Sequence, residues 1–149
     1  MTEIGFYHLQ REALETALPK LLEKVLERGL RAVVLAGSAE RVSALDDRLW
    51  TYSREGFLPH GKAGDGADAD QPIYLTTEPE NPNGATVLVL VDGIDAAFKD
   101  SFARCVDMFD GRDETAVQAA RQRWKDSKAA GHTTTYWQQG ERGGWTEAG

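Results

Sequence analysis

Residues 119–128 read Ala119-Ala120-Arg121-Gln122-Arg123-Trp124-Lys125-Asp126-Ser127-Lys128, which sets a large aromatic among four basic residues in a chain of net charge -7. No Pro or Gly interrupts the run before Gly131, and Ala, Gln, Arg and Lys all favour helix. At about 100° per residue, Val117, Ala120, Trp124 and Ser127 share one stripe, with Arg121, Lys125 and Lys128 on the strip beside it. Trp124 then stands where an apolar face meets a positive one. Such a border suits a partner that offers an apolar anchor and a negative charge. On spacing alone, the commoner arrangement is favoured, a Trp packed into the core with solvated charges beside it.

Other residues with chemical capacity lack the company that chemistry needs. Asp92 follows the apolar run Val89-Leu90-Val91, where a nucleotide hydrolase holds magnesium. That role requires a glycine-rich phosphate loop leading into a helix. The nearest glycine cluster, Gly61 to Gly66, runs instead into Asp68 and Asp70, and carboxylates there repel phosphate. Asp92 therefore reads first as a turn residue leaving a strand. His8, His60 and His132 are widely separated, without the spacing of a zinc site. Cys105 is the single cysteine and reads as a small buried residue. No Gly-x-Ser-x-Gly element is present. These residues support neither a catalytic site nor a metal or cofactor.

Trp50 ends a second helical stretch, and Phe57 follows in a loop just before Leu58-Pro59-His60. By default the two close the core beneath that loop. The alternative is that both wall an apolar pocket at a sheet edge, and periodicity does not choose between these.

A chain of 149 residues fits one domain that buries about two-thirds of its unfolded surface. No stretch of 18 apolar residues occurs, and the first ten residues lack a basic segment followed by an apolar one, which is the pattern of a soluble, non-exported, cytoplasmic protein. Residues 1–110 hold 11 Lys+Arg against 19 Asp+Glu, whereas residues 111–130 hold five basic against three acidic. An acidic body disfavours broad contact with nucleic acid phosphates, and a local basic patch on it favours a small acidic target.

The elements that must position these residues alternate. Ile4–Leu9 reads as a strand, followed by a helix over roughly 11–28 that kinks or starts at Pro19. Residues 32–36 form a strand buried on both faces, and Ser38 caps a helix over roughly 39–52. Residues 56–72 are a long loop. Strands follow at 73–76, 86–91 and 103–109, the basic helix covers about 113–130, and 132–138 alternates weakly as an edge strand. Residues 139–149, rich in Gly, read as a flexible tail after a single domain at 1–138. This alternation indicates a three-layer α/β/α sandwich with a central, mainly parallel sheet.

Several short motifs, taken in order, carry a resemblance. They are Phe6-Tyr7-His8-Leu9, Leu45-Asp46-Asp47-Arg48-Leu49-Trp50, Phe57-Leu58-Pro59-His60, Ala63-Gly64-Asp65-Gly66 and Arg121-Gln122-Arg123-Trp124-Lys125 with Ala130-Gly131. Together they resemble the chi subunit of the bacterial DNA polymerase III holoenzyme across about residues 4–137. The resemblance implies a non-catalytic accessory protein of the clamp-loader assembly, attached through the psi subunit. It also implies binding of the acidic, Phe-terminated tail of single-stranded DNA-binding protein. Carried over by position, Trp50, Phe57 and Trp124 would form the apolar surface for the terminal Phe. Arg121 and Lys125 would pair with its carboxylate and the acids before it, and Lys128 with acids further upstream. Trp124 departs from the family's commoner Tyr, and the tail with Trp145 has no counterpart. Two rivals stand beside this reading, a nucleotide-dependent or hydrolytic α/β enzyme using Asp92, and direct binding of single-stranded DNA through Trp124 and its basic neighbours.

Overall fold

The computed structural model describes residues 2–10, 13–52, 59–63, 65–66, 68–94, 97–139 and 145–147. Eight strands form one sheet: β1 (Glu3–Leu9), β2 (Ala32–Leu35), β3 (Gly61–Lys62), β4 (Ile73–Thr76), β5 (Val87–Val91), β6 (Arg104–Asp110), β7 (Thr133–Gln139) and β8 (Trp145–Glu147). Their spatial order is β3-β4-β2-β5-β6-β1-β7-β8. All neighbours pair in parallel except β7 with β8, so the expected mainly parallel α/β fold is what the chain adopts. Among the described residues three α-helices cover it: α1 (Leu14–Glu27), α2 (Ala39–Thr51) and α3 (Glu114–Ala129).

The strand order dictates which face each helix takes. The connections β1→β2 and β2→β3 move one way along the sheet, and β6→β7 moves the other way. Right-handed crossovers in opposite directions place their helices on opposite faces. Accordingly Leu18 and Leu22 of α1 and Leu45 and Leu49 of α2 pack with Val34, Leu75 and Val89 on one face. Val117 and Ala120 of α3 pack with Phe6, Val33, Leu88 and Phe109 on the other. The strand β5, Val-Leu-Val-Leu-Val, is buried at every position because both layers cover it.

Three details differ from the sequence expectation. Pro19 neither starts nor ends α1, which runs through it. Proline has no N–H for the carbonyl four residues back, and that carbonyl, on Glu15, accepts instead from Nε of Arg48 in α2 at 3.2 Å. Part of the loop region around residue 61 is strand β3, at one edge of the sheet. At the opposite edge, β7 is covered by β8, so residues 145–147 of the supposed tail belong to the sheet, and Trp145 packs edge-on to Tyr7 with ring centroids 5.1 Å apart.

Candidate peptide-binding site

The helix α3 is capped by Asp113, whose carboxylate accepts from the backbone N–H of Thr115 and Ala116 at 3.0 and 3.4 Å. Val117, Ala120 and Ser127 are buried, as their shared stripe requires, and Trp124 is half-buried at its border. The Trp124 ring meets Tyr136 of β7 edge-on at 6.5 Å. Its Nε1 is shut off from solvent, so the exposed part of the indole is carbon. Lys128 places its Nζ 4.9 Å from the indole centroid, a cation–π contact that holds positive charge against the ring. Arg121 and Lys125 are exposed on the same side of the helix. Of the six residues singled out from the sequence, Arg121, Trp124, Lys125 and Lys128 therefore share one surface.

The fourth basic residue of the run does something else. Arg123 is buried, and its guanidinium donates to both oxygens of Asp107 in β6, at 2.7 and 3.0 Å. This bidentate pair is the internal anchor of α3. A helical wheel drawn on apolar residues alone misses it, because Arg123 points inward beside the apolar stripe.

Beneath the exposed strip lies a polar core that the sequence also concealed. His8 of β1 lies next to Phe109 and Tyr136, with ring centroids 5.2 and 5.9 Å away. The Gly111 carbonyl can only accept, so His8 Nε2 donates to it at 3.3 Å. His8 Nδ1 is then free to accept from the Tyr136 hydroxyl at 2.9 Å. Burial pushes the His8 imidazole below its ordinary range, and the charge of Arg121 pushes the same way against Gly111 and Asp110. Burial also raises the Tyr136 phenol, and Arg121 opposes that rise, so the guanidinium sits close to the hydroxyl. A side chain at Gly111 would collide with the His8 ring and the Leu9 carbonyl, which fixes glycine there. The signal that could have found His8 is its place as the one polar residue in step with Ile4 and Phe6, since a buried polar group calls for a partner.

The structure does not bring Trp50 to this surface, which corrects the expectation of a shared pocket. Trp50 lies near the end of α2, on the opposite face of the sheet from α3. It is 56% exposed and its ring lies 4.5 Å from that of His60. His60 Nε2 in turn approaches Asp46 at 3.0 Å, and Lys62 Nζ lies 3.6 Å from the same carboxylate. Opposite crossover directions separate the two tryptophans, and no local motif records them. Phe57, the remaining expected member, lies outside the described residues.

Asp92 has a structural task. Its backbone is left-handed, with φ 59°, and Arg41 donates to both its oxygens at 2.6 and 3.2 Å. Arg41 reaches Glu15 as well, at 2.5 Å, so one guanidinium ties α1, α2 and the end of β5 together. The carboxylate of Asp65 accepts from the Lys62 backbone N–H at 3.1 Å, making an acid-closed turn where a phosphate cradle would need free donors. Among the described residues there is no cluster of three His, Cys, Asp or Glu placed to hold a metal. Among them, too, no helix is long and apolar enough to cross a membrane.

The family model described as DNA polymerase III chi subunit, HolC, matches residues 1–135. The chain belongs to that family, one of accessory subunits of DNA replication. It is 39% identical over 97 residues to a probable DNA polymerase III subunit chi of Rickettsia prowazekii (strain Madrid E), which covers 65% of this chain and 59% of the relative. It is 26% identical over 136 residues to DNA polymerase III subunit chi of Pseudomonas aeruginosa, covering 89% of this chain and 93% of that protein. With the Escherichia coli (strain K12) subunit chi it shares 25% identity over 139 residues, 88% of this chain and 94% of that one.

Proposed function

We propose that this chain is a non-catalytic accessory subunit that captures the acidic, Phe-terminated C-terminal tail of single-stranded DNA-binding protein on the exposed side of α3. It thereby links the clamp-loader assembly, through a psi subunit or another of its components, to protein-coated DNA. The work is done in the cytoplasm and needs no metal or cofactor. One observation carries this reading: the carbon edge of Trp124 is exposed beside three exposed cations, on a protein of net charge -7. The apolar edge suits the terminal Phe. Arg121 offers a planar fork to the terminal carboxylate, and Lys125 and Lys128 meet the acids before it. Capture of a C-terminal carboxylate beside an apolar surface is a recurring mode of recognition. Tyr136 and His8 serve from below by fixing the floor under Trp124 and Arg121. Trp50, on the other face, has no part in this pocket.

The test is titration of the full chain with a peptide of that tail, with and without its final Phe. Saturable binding that vanishes without the Phe and weakens as salt rises is expected. Equal binding of both peptides would exclude the pocket.

A further inference from the structure

A second surface combines aromatic and basic residues, on the face of the sheet opposite α3. Tyr7 packs toward the α1 side of the sheet. Its register partner Trp137 shares that side, and the two rings lie 6.4 Å apart at 22° between planes. Trp145, from β8, stands against Tyr7 and extends the aromatic floor to the sheet edge. Between this floor and α1 runs a groove of about 720 Å³. Among the described residues no helix lies across it.

The wall of the groove is basic. Lys20 and Lys24 of α1 and Arg28, the residue that caps its C-terminus, recur every fourth residue and line it, and Arg104 lines it from β6. Steps of four residues place the α1 cations about 6 Å apart along the helix axis. Burial raises the Tyr7 phenol while Arg104 and Arg28 pull it back, so both guanidinium groups act on the floor itself. The acids nearby are partly engaged: Glu23 accepts from the Tyr52 hydroxyl at 2.5 Å, and Glu3 lies 3.9 Å from Arg104. Glu27 also lines the groove.

We propose that this groove binds a short single-stranded nucleic acid segment, with bases stacked on Tyr7, Trp137 and Trp145 and phosphates along Lys20, Lys24 and Arg28. Contiguous rings with a cationic row beside them form the usual platform for single strands. The cations run as a line rather than converging on one point, which fits a polyanion lying lengthwise better than a single carboxylate terminus. The acidic remainder of the chain confines the contact to the groove, so the bound segment is only a few nucleotides long, and a duplex, with its bases already stacked, gains nothing from the floor.

The experiment titrates the full chain with a labelled oligothymidylate about eight nucleotides long, within the usual site size of such platforms. At low salt, saturable binding with quenched tryptophan fluorescence is expected. Neutralising three or four phosphates predicts a slope of log affinity against log salt of about -2 to -3. The double variant Lys24→Glu with Arg28→Glu, both on exposed positions, should weaken binding by about tenfold or more, and Lys125→Glu on α3 should leave it unchanged. Absence of saturable binding would overturn the proposal. So would loss of binding with Lys125→Glu alone, equal binding of duplex, or displacement of the oligonucleotide by a Glu-rich peptide at equal concentration. Because tail-peptide binding reads α3 and this assay reads α1, failure of one leaves the other intact.

Discussion

Trp124 and Trp50 are the same side chain near the same kind of place, a helix flank, yet they sit in different electrical surroundings. Trp124 is half-buried, backed by Tyr136 and flanked by Arg121, Lys125 and Lys128. Trp50 is more exposed and rests on His60, which faces the carboxylate of Asp46. The first surface offers carbon ringed by positive charge, and the second offers carbon over an acid–histidine pair. Only the first complements an acidic peptide. An aromatic's neighbours in space, fixed by the direction of a crossover, decide what it can recognise.

The largest effect belongs to the anchor of α3: Arg123→Ala removes the bidentate partner of buried Asp107 and should cost about 3–5 kcal/mol of stability, read as a lower midpoint in urea unfolding. Its neighbour Arg121 should behave oppositely. Arg121→Ala is expected to leave the unfolding midpoint nearly unchanged and to weaken tail-peptide binding by about 1–3 kcal/mol in calorimetric titration. An unchanged affinity would remove Arg121 from the site. Lys128→Ala, which removes one exposed charge facing the upstream acids, should cost about 0.2–1 kcal/mol of the same affinity.

A smaller effect concerns pH. His8 has its imidazole pKa lowered from 6.5 by burial, so the folded state takes up protons less readily than the unfolded chain. Its contribution is therefore complete above the unfolded value and declines as pH falls through and below about 6.5, until the folded value is passed. Thermal unfolding from pH 8 to about 5 should show this decline, and His8→Gln should flatten it. The smallest expected effect is none at all: Trp50→Ala should leave tail-peptide affinity unchanged, and any marked loss would mean that the two tryptophans act together despite the sheet between them.

Much of this was legible in the residues. The stripe of Val117, Ala120, Trp124 and Ser127 correctly orients α3, because helical periodicity depends only on backbone geometry. The continuous apolar run at 87–91 announces a strand covered on both sides. Strand order was not legible, since it is settled by long-range pairing, and with it went the placement of Trp50. Arg123 escaped for a different reason. Its partner Asp107 lies on β6, sixteen positions earlier, and nothing local distinguishes it from the solvated arginine two residues away. The strand at 145–147 was hidden by the glycines before it, which suggest looseness while Trp145 supplies the packing.

The Arg48 guanidinium that satisfies the Glu15 carbonyl also bears on how the molecule opens. With proline at position 19, α1 lacks one hydrogen bond of its own, and its replacement comes from α2. Local opening of α2 therefore strips α1 of a bond at the same moment, so the two helices should exchange their amide hydrogens as one cooperative unit. On the opposite face, α3 hangs from Asp107 and shares none of these bonds, which leaves the basic helix free to breathe on its own schedule.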